Sequence, residues 1–315
     1  MGNFGKILCL AAISLLPFST QAQKIHESAS LETSHLWRGL EVGNGLIFNN
    51  DVSLSDNNDH FKIGLWGGMA TDGDYKEADV YVNYNNSGFN LAVWDLWNFS
   101  DGIPGNGKYF TWDARKTSHL LDAAISYDFG VKAGFPLTLS WATLLVGRDR
   151  GAANEQNVYS TFVQASYRLY DSKDWAVDAS VGGIFALNPY DKDKYPGENN
   201  NLYGKSAGIN DIRLGATYKL KVGKFDMPVS AQMMWNPEAS KAYFRASITL
   251  INIWTYKETQ IGKAPASITS WGFFVPSWLM ANGKICLRAV AIFHKIESTQ
   301  HQNDQHKHKK KRRKI

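Results

Sequence analysis

Hydrolytic chemistry needs a nucleophile, a base and a group that orients the base, all within hydrogen-bond reach. His119 is the best base this chain offers. The positions that share its face on the flanking segments are Trp97, Phe99, Thr143 and Leu145, while Ser118 turns the other way. No H-x-S-N-G arrangement occurs, so His119 reads as a rim histidine and a lipid-modifying enzyme is the least supported function. His26, His35 and His60 are isolated, and no His/carboxylate spacing resembles a metal site. Ser55-Asp56-Asn57-Asn58-Asp59 and Asp72-Gly73-Asp74 have turn composition. Cys9 and Cys286 are the two cysteines, which gives no disulfide framework and no thiolate metal site. Nothing in the sequence calls for a cofactor.

A second chemistry is electrostatic. Asp79, Asp122 and Asp178 fall on the polar face of amphipathic segments, and so do Arg213 and Arg245. If those faces line one cavity, the acids favour one arc and the arginines the other. Opposed charges would set up a transverse field that orients dipolar solutes and selects ions by sign. Trp66 and Trp94 also fall on the polar side, where an indole can stack on a sugar face. The competing expectation is that inward charges pair with one another and that a small barrel fills itself with side chains.

The elements that would position these residues are strands. From Val158 to Asn188 two runs alternate apolar and polar residues around Asp171-Ser172-Lys173-Asp174. One face carries Tyr159, Val163, Tyr167, Trp175, Val181 and Phe185, the other Gln164, Ser166, Arg168, Asp178 and Ser180. An apolar band with aromatic ends, backed by a polar face, suits a transmembrane barrel hairpin. The pattern recurs about twelve times between Ala29 and Ile251. Asp95 interrupts one apolar face, which predicts a bulge or a rim position there. Connections after even-numbered strands are short. Those after the fifth, seventh and ninth are long and polar, which matches short periplasmic turns and long extracellular loops. The predicted fold is all-β: a transmembrane antiparallel up-and-down barrel of about twelve strands, with an irregular C-terminal tail.

Three segments follow. Residues 1–22 read as a signal peptide: Lys6, an apolar run from Ile7 to Phe18, and small residues that place cleavage between Ala22 and Gln23. Residues 23–251 form the barrel. Residues 252–315 form an atypical basic extension of disordered character, dispensable for the fold. The formal charge of +5 is uneven: from Asn252 onward 12 Lys/Arg face 3 Asp/Glu, so the tail carries +9 and the rest −4. Whole-chain charge is therefore no argument for nucleic acid.

Thr33-Ser34-His35-Leu36-Trp37-Arg38-Gly39 resembles the S-D-Y-x-F-R-G signature that opens TorF-type porins, which are small outer-membrane barrels. Trp37, Arg38 and Gly39 match in kind; Ser34 stands for the usual Asp and His35 for the usual Tyr. In length and rhythm the chain is also similar to Bacteroidetes-type outer-membrane barrels of unassigned function. The resemblance implies a barrel and a channel, and carries no substrate.

The expected location is the outer membrane of a Gram-negative cell. The expected partners are outer-membrane lipid and lipopolysaccharide, the barrel-assembly machinery and small polar solutes. The leading function is a passive, porin-like channel for such solutes. The alternative is a closed structural or surface-binding barrel whose extracellular loops carry the function.

Overall fold

The computed structural model describes residues 23–151, 153–223 and 225–257. The expected signal peptide and its cleavage residue Ala22 lie outside the described residues, as does the tail from residue 258 onward. Among the described residues, twelve strands close into one antiparallel ring. They are β1 (Gln23–Trp37), β2 (Leu40–Ser55), β3 (Phe61–Ala70), β4 (Lys76–Asn86), β5 (Phe89–Asn98) and β6 (His119–Asp128). The second half is β7 (Leu137–Gly147), β8 (Ser160–Asp171), β9 (Trp175–Ala186), β10 (Gly208–Tyr218), β11 (Val229–Asn236) and β12 (Lys241–Lys257). Each strand pairs with its sequence neighbours, and β12 returns to pair with β1. A short helix, Gly130–Ala133, sits between β6 and β7, and a two-residue ladder of Lys221–Val222 with Phe225–Asp226 precedes β11.

Side-chain alternation sorts the sequence as its pattern demands. Leu65, Val93, Leu139, Val181, Leu214 and Phe244 all face outward and stay exposed in the isolated chain. A contiguous apolar exterior of this size needs a lipid or protein cover. Closure leaves the sheet no free edge, which is the condition for strands to cross a bilayer. Among the described residues no helix is long and apolar enough to do so. Outward aromatics pair near one end of the ring: Phe61 with Tyr84 at 4.7 Å, Phe89 with Tyr127 at 4.6 Å, and Trp175 with Tyr218 at 5.0 Å between ring centroids. They form the girdle expected where a barrel meets the membrane interface.

That girdle lies at the end with the short turns, here the turn end, where Gln23 of β1 and Lys257 of β12 also meet. The opposite, loop end carries the connections 99–118, 148–159 and 187–207.

Several boundaries differ from the sequence pattern for local reasons. β12 continues past Ile251 to Lys257, pairing Asn252 with Ser28 and Lys257 with Gln23. A bulge opposite Ala29 and Ser30 leaves Leu250 unpaired, so the outward face passes from Ile248 and Leu250 to Ile251 and Ile253. The broken alternation reads in sequence as the end of a strand, whereas it is a one-residue insertion within one. The interruption at Asp95 is the reverse case, because the register from Phe89 to Trp97 runs without a shift on both sides. Asp95 is a rim position with a partner. Tyr159 precedes β8 with φ 54° rather than joining its outward face.

Candidate functional site

The β1–β2 hairpin bends into the lumen at the loop end. Register shifts between Glu32 and Ser34, and again between His35 and Leu36, kink the pair near its tip. The connection is the two-residue turn Arg38–Gly39, with φ 48° and 83°. Both values are positive, as the mirror-image hairpin turn requires. Gly39 is doubly constrained, since a Cβ there would fall 2.4 Å from the Asn210 carbonyl oxygen. Arg38 holds a left-handed conformation that costs a non-glycine residue about 1–2 kcal/mol.

The strain is maintained by contacts from around the ring. Arg38 donates from Nη1 to Asp122 Oδ1 at 2.9 Å and from Nη2 to Asp122 Oδ2 at 2.6 Å. Asp122 is on β6, five strands from β1 around the ring, so this bidentate pair spans the lumen. Nη1 also donates to the Tyr203 hydroxyl at 2.7 Å, from the 187–207 loop. Asn210 donates to the Arg38 carbonyl at 2.7 Å and Asn236 to that of Gly39 at 2.9 Å. Burial alone would lower the Arg38 guanidinium, but the Tyr203 and Asp122 oxygens hold it above its ordinary value.

Apolar packing completes the closure. Leu120, Leu144, Phe162, Ile184 and Tyr203 form a buried cluster, with Trp37, Leu40, Leu96 and Leu202 against it. The Tyr203 loop is fastened by the Leu202 amide, which donates to Ser160 Oγ at 2.6 Å. Ser160 Oγ in turn donates to Asp149 Oδ1 at 2.6 Å, and its backbone amide donates to Oδ2 at 2.7 Å. Burial pushes the Asp149 carboxyl up despite these donors. The loop end of the lumen is thus shut by a plug made from the chain's own hairpin and loop.

Toward the turn end the lumen opens. A cavity of roughly 370 Å³ is lined by Gln164, Ser180, Arg213, Gln232, Arg245 and their neighbours. A second lobe of roughly 290 Å³ shares Gln164 and Arg213 and ends against Leu36, Trp37, Arg38 and Phe162. Exposure falls steeply along this axis. The Arg168 and Asp178 side chains at the turn end are 41% and 47% exposed, whereas Leu144 in the plug is 0%. The hollow is a cup, open at the turn end and closed by Arg38.

The charges expected to face one another as two arcs are arranged differently. Asp122 pairs with Arg38. Arg213 makes a bidentate pair with Asp211, two residues along the same strand face, at 2.6 Å on both bonds. Arg245 reaches Glu32 on the neighbouring β1 at 3.4 Å. Asp178 pairs with Arg168 on β8. Asp79 accepts the Trp97 backbone amide at 3.1 Å and lies beside Glu77, which takes the Asn98 amide at 2.9 Å. Arg213 and Arg245 therefore find carboxylates on their own or adjoining strands, and of the charges expected to face one another only Asp122 reaches across the lumen to a hydrogen-bonded partner, Arg38. Pairing with the nearest counter-charge beats opposition across water because desolvated charges are costly unless bonded.

Trp66 and Trp94 do face inward, yet neither lines the open cavity. Trp66 packs on the buried Ile47, Ala70 and Tyr75 and lies 5.3 Å from the His35 ring. Trp94 stacks on Tyr81 at 4.2 Å, and Tyr81 donates to Asp51 at 2.9 Å. These rings fill the β1–β5 side of the barrel instead of offering platforms to a sugar.

His119 sits on the outer wall, near the loop end. Its Nδ1 is 2.7 Å from Asp95 Oδ1 and its Nε2 2.7 Å from the Tyr109 carbonyl. Trp112 stacks on the ring at 4.2 Å. Both nitrogens are engaged, and the arrangement fastens the 99–118 loop over the wall. Asp95 is the rim position its break in the pattern predicts; it stands opposite Leu121, two pairs from Trp97–His119 and on the same face, and that spacing is the signal in the sequence that joins it to His119. Tyr203 had no such signal, because a residue in a long loop has no predictable register.

No protein-family model matches the chain, and no curated protein does. Solved structures similar to it include the NanC porin, at 10% identity and TM-score 0.37, covering 75% of this chain and 99% of that one. An outer membrane channel from Pseudomonas putida F1 is 10% identical at TM-score 0.35, with 76% and 97% covered. The outer membrane protein opdK from Pseudomonas aeruginosa is 13% identical at TM-score 0.30, with 68% of this chain and 58% of that one covered. At such scores the likenesses fix neither a family nor a solute.

Proposed function

We propose that the protein is a passive outer-membrane channel for small polar solutes whose extracellular mouth is held shut by the β1–β2 hairpin. The turn end then faces the periplasm, in keeping with the short turns and both barrel termini there. The observation that carries this reading is that a polar, solvent-exposed cup runs up the lumen and ends on one strained two-residue turn. A strained turn held by a lumen-spanning salt bridge suits a movable stop better than a permanent fill. The Trp37-Arg38-Gly39 triplet that resembles TorF-type porins is this turn, and a small Gram-negative porin of that kind fits the reading. The expected partners are outer-membrane lipid and lipopolysaccharide on the apolar wall and the assembly machinery during insertion.

Planar-bilayer recording tests it. The double variant Arg38→Ala/Asp122→Asn removes the spoke without stranding a charge. It should conduct in steps that the wild type shows rarely. If both stay silent while correctly inserted, as judged by heat-modifiable migration, the lumen is a plug and the channel reading falls.

One observation favours the second reading, a closed barrel that binds through its loops. The 99–118 loop packs over the outer wall and leaves Phe110 88% exposed beside the lipid-facing band. The lipid-modifying reading has no comparable support, since the His119 nitrogens already serve Asp95 and Tyr109.

A further inference from the structure

Three adjacent strands bring Arg213, Gln232 and Arg245 to the same stretch of the cup. Gln232 and Arg245 are directly opposite one another in the β11–β12 register, and Gln232 also stands opposite Gly215 of β10. The hydrogen bonds around them are lopsided. Asp211 spends both oxygens on Arg213. Glu32 gives Oε1 to His35 at 2.7 Å and to Asn49 at 2.8 Å, leaving Oε2 for a long 3.4 Å contact with Arg245. The carboxylates are thus committed, while the donors are not. Arg245 uses one Nη1 contact of the five N–H groups a guanidinium offers. Arg213 Nη1 reaches only Gln232 Oε1, at 3.5 Å, and the Gln232 amide nitrogen lies over Gly215, another residue of the cavity lining. Gln164, Ser166 and Ser180 on the adjoining strands β8 and β9 bond to one another, at 3.2 and 3.4 Å.

The cavity lining itself carries three guanidiniums, Arg168, Arg213 and Arg245, against one carboxylate, Asp178, which pairs with Arg168; a wall with this excess of donors selects a solute rich in acceptors. Fork-shaped guanidinium donors fit two oxygens on one centre best. We propose that Arg245 and Gln232, with Arg213 Nη1, form a binding subsite for the oxyanion head of a small solute, a carboxylate or a phosphate, entering from the turn end. The volume of roughly 370 Å³ lies at the lower end of small-ligand pockets, so the solute is a small acid and not an oligomer. The subsite names the solute class for the channel proposed above and rests on that reading for its use. Its occupancy requires only the open turn end and not an open outer mouth.

Binding to the full chain in detergent micelles therefore tests it separately from conductance. Isothermal titration is run with succinate, with inorganic phosphate and with neutral succinamide. At least one anion should bind in the millimolar range or tighter and succinamide at least tenfold more weakly; the better anion identifies the head group. Arg245→Gln should weaken that anion at least tenfold, and Arg245→Lys less. Gln232→Leu, which strands no charge, should weaken it about threefold or more in a barrel that keeps its heat-modifiable migration. No anion binding by the wild type, equal binding of succinamide, or unchanged affinity in folded Arg245→Gln and Gln232→Leu would each overturn the subsite. A barrel that binds the anion but never conducts would retain the subsite and refute the channel.

Discussion

Arg38 and Asp122 meet across the lumen through two bonds, of 2.9 and 2.6 Å, although β6, which carries Asp122, stands four places from β2 and five from β1, the strands that the Arg38 turn joins, in a ring of twelve. Both side chains are largely buried. The pair does two jobs at once: it holds the turn in a left-handed conformation and closes the upper lumen.

Breaking this pair from one side should therefore be costly. Asp122→Ala leaves the Arg38 charge without its carboxylate and should lose about 3–5 kcal/mol. Arg38→Ala removes the charge but strands Asp122, with a similar loss. The double variant should recover much of it, giving a large coupling energy in a double-mutant cycle. Urea titration in lipid vesicles measures each corner; additive single losses would show that the two residues act independently.

The outward face should tolerate no charge at mid-height. Val181→Arg places a guanidinium in the lipid band and should cost roughly 2–4 kcal/mol. Gln164→Arg, on the adjoining strand but turned inward to the polar cup, should cost much less. Equal losses would reverse the assignment of faces.

Much of this is legible in the sequence itself. Alternation placed Leu65, Val93, Val181 and Phe244 outside and Asp122, Arg213 and Arg245 inside, because a strand has only two faces and each residue must take one. The spacing of turns and loops gave the ring and its two ends. What alternation lacks is depth and azimuth. It put Arg213 and Asp122 on the same inner surface without saying that Asp211, two residues away, would take Arg213 first. It could not show that bulges near Ser34 and Leu36 tip the first hairpin into the lumen, since a bulge leaves only a local irregularity in the pattern. The same blindness ended the last strand at Ile251, where an unpaired Leu250 shifts the alternation.

His119 should act as a fastener for the loop it touches. His119→Leu removes both ring contacts, to Asp95 and to the Tyr109 carbonyl, and frees the 99–118 segment from the wall. Trypsin should then cut after Lys108, Arg115 or Lys116 several-fold faster than in the wild type, with the barrel's melting temperature little changed. Asp95→Asn keeps an acceptor for the ring and should have a weaker effect. Unchanged cleavage in His119→Leu would mean that Trp112 and Tyr109 hold the loop without it.

The end of β12 should matter to the ring. A chain stopping at Ile251 loses the pairing of Asn252–Lys257 with Gln23–Ser28 and leaves those β1 backbone groups unpaired at the rim of the bilayer. It should insert but unfold at a lower temperature than a chain stopping at Lys257, read from heat-modifiable migration. Matching temperatures would show that the segment adds nothing to closure.

The Arg213–Asp211 pair should respond differently from Arg38–Asp122, and the reason is access to water. Asp211 is 0% exposed, whereas the Arg213 side chain is 15% exposed and borders the cup. Arg213→Gln strands a carboxylate that has no route to solvent, so a loss of about 3–5 kcal/mol is expected. Asp211→Asn leaves a guanidinium that can turn toward the cavity and hydrate, and the loss should stay near 1 kcal/mol, the scale of a lost hydrogen bond. The Arg213→Gln/Asp211→Asn double variant should sit close to Asp211→Asn alone. In the Arg38–Asp122 pair no such asymmetry is expected, because Arg38, though 13% exposed at the end of the cup, is pinned by the Tyr203 hydroxyl and by the Asn210 bond to its own carbonyl and cannot turn away to hydrate. Urea titrations of the four single variants in vesicles decide the matter. Equal losses for Arg213→Gln and Asp211→Asn would mean that water does not reach Arg213 and that the cup is closed at both ends.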